Sequence, residues 1–265
     1  MGVLLHLSDP HFGTEAPEAV DALLALAARE RPDVVVWSGD ITQRARPAQF
    51  EAARRFHAAL RAPHVLAIPG NHDIPLFNVA ARALRPYAGF RKAFGSTDDP
   101  HLSLPGLMVA GVNTTRAWRH KHGEVSSAQI TRAACRVRQA AADQLKVIVV
   151  HQPVWVACAQ DRINLLRGHA AALAAWADAG VDVVLSGHIH LPSVHPLSLA
   201  ASDGSPRTVW NVQAGTAVSH RVRGGIGQSI HLIRYQAGPH GRRIIERWDL
   251  PPGQRAFERV GRHAL

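Results

Sequence analysis

The sequence predicts an α/β fold in which two β-sheets pack face to face with helices outside. Three observations carry this. Through the first two thirds of the 265 residues, short β-branched runs alternate with Ala/Leu/Arg segments of helical period, the pattern of an α/β fold. Beyond about Leu191 the helical period gives way to successive strand-like runs, which a simple doubly wound sheet does not accommodate but a second sheet does. No Gly/Ser-rich linker or internal repeat divides the chain, so residues 1–250 are expected to form one domain with 251–265 as a C-terminal tail.

Val3–Leu7 reads as a strand, and Pro17–Arg29 as an amphipathic helix with Val20, Leu23, Leu24 and Ala27 on one face. Asp33–Trp37 is the next strand, Pro47–Leu60 a helix begun by a proline, and His64–Ile68 a third strand. Leu76–Phe94 is mostly helical. Leu102–Leu104 and Leu107–Val112 are strands split by the turn pair Pro105-Gly106. Helix Ser126–Ala142, strand Lys146–Val150, helix Arg167–Ala179 and strand Val181–Leu185 follow. Val194–Leu199, Thr208–Gln213, Ser229–Tyr235 and Arg242–Trp248 make up the all-β last quarter.

Composition excludes several classes. Hydrophobic residues are 46% of the chain, ordinary for a globular protein and too many for a disordered one. No stretch approaches the roughly 20 apolar residues of a membrane span. The N-terminal run Val3-Leu4-Leu5 lacks a basic start and is interrupted by His6 and Asp9, so no secretory signal is expected. With two cysteines, Cys135 and Cys158, no disulfide framework is available, and a reducing cytoplasm is the expected compartment. Thirty basic residues against twenty acidic give +10. This permits an anionic substrate or a nucleic acid, yet Arg and Ala recur along the whole chain as GC-rich codons would produce.

The chemistry collects at the carboxyl ends of the strands, where open α/β sheets bind ligands. Val3–Leu7 runs into Ser8-Asp9-Pro10-His11, and Asp33–Trp37 into Ser38-Gly39-Asp40. His64–Ile68 runs into Pro69-Gly70-Asn71-His72-Asp73, Lys146–Val150 into His151, and Val181–Leu185 into Ser186-Gly187-His188-Ile189-His190. Turns favour Asp, Asn and Gly for structural reasons alone. Here, however, all five ends carry metal-binding residue types, and Asp9/His11 and His188/His190 are i, i+2 pairs, which in extended chain share one face.

In order and spacing these motifs resemble the calcineurin-like metallophosphoesterases, and within them the class III cyclic-nucleotide phosphodiesterases. The resemblance spans residues 9 to 190 and implies a four-layer α/β/β/α sandwich, two mixed sheets flanked by helices. It implies that Asp9, His11, Asp40 and His190 bind one metal and that Asp40, Asn71, His151 and His188 bind another, with Asp40 bridging. Mixed N/O ligands suit two divalent or mixed-valence ions of Mn, Fe, Zn or Co. Such a pair lowers the pKa of bound water and clamps phosphoryl oxygens during in-line displacement. His72 is cast as general acid or transition-state stabiliser. Asp73 has two readings, a partner for the His72 imidazole or a cap for the following segment.

The basic segment Asn113–Gly123 holds Arg116, Arg119 and Lys121 around Trp118. Its cations suit an anion and its indole a base, while a solvated loop with Trp118 packed inward fits equally well. Gln152–Trp155 is a candidate rim. The expected function is hydrolysis of small phosphodiesters such as cyclic nucleotides, with Asp40 and His72 in the reaction and Asn71, His72, Arg116 and Arg119 on the substrate. The alternatives are a phosphomonoesterase, a nucleotide-diphospho-lipid pyrophosphatase and a non-catalytic metal-dependent scaffold. The expected partner is a small anionic phosphoester rather than a nucleic acid, and self-association is left open.

Overall fold

The computed structural model describes residues 1–96, 99–238 and 241–265. Strand β1 (Gly2–Leu7) leads to helix α1 (Pro17–Glu30), and β2 (Val34–Trp37) to α2 (Pro47–Leu60). β3 (His64–Ala67) leads to a 3-10 turn (Asn71–Asp73) and the short helices α3 (Val79–Leu84) and α4 (Ala88–Phe94). The hairpin β4 (His101–Leu104) and β5 (Leu107–Gly111) precedes α5 (Ser127–Gln139), β6 (Leu145–Val149), a 3-10 helix (Ala159–Asn164), α6 (His169–Ala179) and β7 (Val183–Ser186). The remaining strands are β8 (Ser193–Ala200), β9 (Pro206–Gln213), β10 (Gln228–Tyr235), β11 (Arg243–Leu250) and β12 (Glu258–Ala264).

They form two mixed six-stranded sheets, ordered β12-β11-β10-β1-β2-β3 and β4-β5-β6-β7-β9-β8. β1, β2 and β3 are parallel, as are β5, β6, β7 and β9. Their carboxyl ends therefore open on one edge of the sandwich. Alternation along the strands builds the layers. Leu4, Val34, Val36 and Leu66 of one sheet meet Val109, Val147, Val149, Leu185 and Val212 of the other in a largely apolar middle layer. The opposite faces carry α1, α2 and α4 on the first sheet and α5 and α6 on the second. This is the expected four-layer arrangement.

Local departures have physical causes. The stretch expected to be helical over 76–94 divides into α3 and α4, because Pro86 bars Arg85 from the helical region and Arg85 sits at φ −145°, ψ 57°. On α1 the buried stripe is Ala19, Ala22, Leu23, Leu26 and Ala27, with Val20 and Leu24 at its margin. The tail expected at 251–265 contains a strand: β12 pairs antiparallel with β11 through a bulge at Arg247/Trp248 and closes the sheet's edge. Its residues are mostly exposed and polar, so no apolar alternation announces it.

His6 and His231, which no sequence pattern singled out, are fully buried in the middle layer and stack at 5.7 Å between ring centroids. His6 Nε2 lies 2.8 Å from Ser38 Oγ, while neither ring nitrogen of His231 has a partner. An unpaired buried polar group costs about 1–3 kcal/mol. His231→Leu is therefore expected to stabilise the protein by about that much and raise Tm by a few degrees. A lower Tm in thermal unfolding would show that His231 has a bonded role.

Candidate metal centre

Five residues at the strand ends share an unusual backbone. Asp9, His11, Asp40, His188 and His190 all have positive φ, between 45° and 72°, a region that costs a non-glycine residue about 1–2 kcal/mol. The i, i+2 pairs thus converge through left-handed turns and not through extended-chain alternation. Neighbouring groups hold the strained loops. Asp9 N donates to Gly39 O (3.0 Å), His11 N to Asp40 O (3.1 Å) and Thr216 Oγ1 to Asp9 O (2.6 Å). Gly39 is required here: at φ +106° a Cβ would run into the His151 ring.

Six of the seven side chains expected as ligands, all but Asn71, fall into two groups. The ligand-capable atoms of Asp9, His11 and His190 are within 4.8 Å of one another, and so are those of Asp40, His151 and His188. Asp40 stands between the groups, with Oδ1 3.3 Å from His151 Nε2 and Oδ2 3.8 Å from His11 Nε2. His151 Nδ1 is 2.8 Å from Ser38 O and His190 Nδ1 2.6 Å from Arg221 O. These carbonyls fix the rings with Nε2 facing inward, the usual orienting device for metal-bound imidazoles.

A metal pair suits this arrangement. His11 Nδ1, Asn71 Oδ1 and both His188 nitrogens are buried without a hydrogen-bond partner, and Asp9 Oδ1 and His151 Nε2 have only the ion-pair contacts to His190 and Asp40, a concentration of poorly satisfied polar atoms that packing alone does not explain. His11 Nε2 and His190 Nε2 stand 3.1 Å apart, with Asp9 Oδ1 3.2 Å from the latter. Lone pairs crowd the same point, as cation binding requires.

Burial dominates at His11 and His188, lowering both to about 3, so they are neutral and ready to ligate. Burial also opposes charge on Asp9 and Asp40, but His190 beside the first and His151 beside the second hold both carboxyls below their usual range. At His151 the burial penalty is outweighed by the Asp40 carboxylate, and its pKa is raised to about 9. In the metal-free protein the His151–Asp40 pair stabilises the fold fully below pH 6.5, and this stabilisation is lost as pH rises through about 9. A metal takes the neutral imidazole, so loading at pH 7 must expel this proton. Metal affinity is expected to rise about tenfold per pH unit between 7 and 9. Calorimetry in buffers of different ionisation enthalpy counts the protons released. Loading without proton release would contradict the pairing.

His72 lies at the rim of this cluster, its ring edge-on to His11 at 4.7 Å and a ligand-capable atom within 4.8 Å of His11 and Asp40. Its Nδ1 is 2.9 Å from Gln43 O, and its backbone N donates to Asp40 Oδ1 at 2.7 Å. Asp73 plays neither part expected of it. Its carboxylate accepts from Ile41 N, Thr42 N, Thr42 Oγ1 and Gly70 N at 2.8–3.0 Å, pinning two strand-end loops together. Burial, with Asp40 nearby, pushes its pKa up to about 6.

The basic loop is largely self-engaged. Arg119 Nε and Nη2 both donate to Glu124 Oε2, and Arg116 donates to Asn113 O, Thr115 O and Gln129 Oε1. Trp118 is 75% exposed and not packed inward. Gln152 accepts from Thr114 Oγ1, and Trp155 stacks on His195. Gln43 and Arg221 hold His72 and His190 through backbone carbonyls, which leave no trace in residue type.

Comparison with known proteins follows the same lines. The family profile described as calcineurin-like phosphoesterase matches residues 2–192. Glycerophosphodiester phosphodiesterase GpdQ of Enterobacter lignolyticus is 42% identical over 84 residues, 27% of this chain and 29% of that protein. A probable cyclic nucleotide phosphodiesterase of Rhodococcus erythropolis is 27% identical over 219 residues, 75% of this chain and 70% of its own length. The chain thus spans under a third of the first relative and 70% of the second. Among solved structures, a dimetal phosphatase from Danio rerio superposes with a TM-score of 0.62 at 16% identity, covering 99% of this chain and 98% of that one. That likeness concerns the fold.

Proposed function

The chain belongs to the calcineurin-like phosphoesterase family, and on that premise we propose that it is a two-metal hydrolase of small phosphodiesters. The observation that carries the reading is the gathering of buried Asp and His ligand atoms into two adjoining groups. Asp9, His11, Asp40 and His190 would hold one ion and Asp40, Asn71, His151 and His188 the other, with Mn, Fe, Zn or Co suited to the mixed N/O donors. Two such ions, when bound, lower the pKa of a water and draw charge from the phosphoryl oxygens.

The chain's own groups do the rest. His72, anchored through Nδ1 to Gln43 O, presents Nε2 at the rim as the proton donor to the departing oxygen. Asn71 and His72 contact the phosphoryl group. The relatives named above are called phosphodiesterases of cyclic nucleotides and of glycerophosphodiesters, and both names favour a diester. Arg116 and Arg119, expected to bind substrate, are paired with Glu124 or backbone, so those two side chains offer little to the second charge of a monoester. No helix among the described residues is long and apolar enough to cross a membrane.

A panel run on metal-loaded protein tests the reading. It contains bis-p-nitrophenyl phosphate, p-nitrophenyl phosphate, cyclic AMP, 2′,3′-cyclic nucleotides and glycerophosphodiesters. Diesters are expected to turn over faster than p-nitrophenyl phosphate. The reverse order would make the protein a monoesterase, and inertness toward all of them with both metals bound would remove the enzymatic reading.

A further inference from the structure

Charge is unevenly neutralised around the centre. Arg223 forms a two-point ion pair with Asp161, and Arg119 one with Glu124. Arg44 and Arg221 have no carboxylate partner among the described residues. Both are gathered at Gln43: Arg221 Nη1 donates to Gln43 Oε1 at 2.9 Å, and Arg44 Nη1 reaches Gln43 O at 3.5 Å. That carbonyl is the one that holds His72 Nδ1, so the Arg44 guanidinium and the His72 imidazole share a single acceptor atom. Arg44 lines one recess with Asn71, His72 and His120, and its guanidinium lies over the Phe77 ring at 6.0 Å. The backbone carbonyl of Arg221 lies 2.6 Å from His190 Nδ1, which places this residue beside the centre. Two cations thus stand uncompensated on the His72 side of the centre, where the reading above puts the departing oxygen.

We propose that Arg44 and Arg221 form an anion subsite for the leaving arm, selecting phosphodiesters whose leaving arm carries a carboxylate or terminal phosphate. The inference rests on the phosphodiesterase reading. Guanidinium hydrogen bonds to such a group are charge-assisted, and Phe77 restricts the motion of one of them.

Equilibrium binding to the metal-loaded protein tests this with ligands that have no P–O–C bond to cleave, read by calorimetry. Benzyl(methyl)phosphinate carries one charge, (4-carboxybenzyl)(methyl)phosphinate adds a carboxylate on the arm, and benzylphosphonate places its second charge on phosphorus. Wild-type protein is expected to bind the carboxylated phosphinate about tenfold or more tightly than the plain phosphinate, with the ratio shrinking as salt is added. In Arg44→Met/Arg221→Met the ratio should collapse toward one, and Arg44→Lys/Arg221→Lys should restore part of it. Metal content measured on each variant excludes a damaged centre as the cause. A wild-type ratio near one, or one that survives the Met variants, overturns the proposal. So does a loss confined to benzylphosphonate, which would assign the arginines to a monoester dianion. If the ratio behaves as expected while no diester is hydrolysed, the subsite stands and the phosphodiesterase reading falls.

Discussion

Asp40→Ala is expected to strip both ions and to reduce kcat/KM by on the order of a thousandfold or more, since the activation of water by about eight pKa units would go with them. Asp40 alone faces both groups, with one oxygen toward His151 and the other toward His11. Its removal also leaves His151 without the carboxylate that raises its pKa, and His72 N without its acceptor. Asn71→Ala should behave differently. A neutral amide is a weak ligand, and its loss is expected to lower affinity at the second position while the first, held by Asp9, His11 and His190, keeps its ion. Metal analysis after dialysis separates the cases. Two equivalents retained by the Asp40 variant would rule out bridging, and equal loss of both ions from the Asn71 variant would rule out its assignment to one position.

What the sequence discloses about this centre depends on whether the side chain or the main chain does the work. Asp9, His11, Asp40, Asn71, His151, His188 and His190 stand at strand ends, so residue type and position together point to them before any coordinates are considered. The left-handed backbone at five of these residues is a property of the closed loops, and Asp and His carry no clear mark of it. The carbonyls of Ser38, Gln43 and Arg221 that orient His151, His72 and His190 could have belonged to any residue. The same division governs the fold. Strands buried on both faces, such as β2 and β6, announce themselves as β-branched runs. β12 pairs through its backbone at an edge, and its solvated residues carry no such pattern. Arg116 and Arg119 illustrate a third limit. They cluster in sequence as an anion site would, and the sequence does not show that Glu124, five residues beyond Arg119, pairs with both.

For His72→Ala the expected result depends on the leaving group. A diester with an alkoxide leaving group, pKa roughly 15, needs a proton in the transition state, whereas p-nitrophenolate, near 7, needs little help. The variant should therefore hydrolyse alkyl esters about a hundredfold more slowly while losing far less on nitrophenyl esters. The placement of His72 makes the comparison informative. Its Nδ1 is taken up by Gln43 O, leaving Nε2 as the nitrogen for the departing oxygen. A ligand-capable atom of the same ring lies within 4.8 Å of His11 and Asp40, which also admits a role as a metal ligand. Metal content separates the two roles, since a proton donor can be removed with both ions retained and a ligand cannot. Equal losses on both ester types with full metal would instead assign His72 to stabilising charge on the phosphoryl oxygens. Both substrates must be run on one metal-loaded preparation with chemistry limiting the rate, because a slow product release would mask the leaving-group dependence. Full metal content with a loss concentrated on alkyl esters is the one combination that makes His72 the general acid.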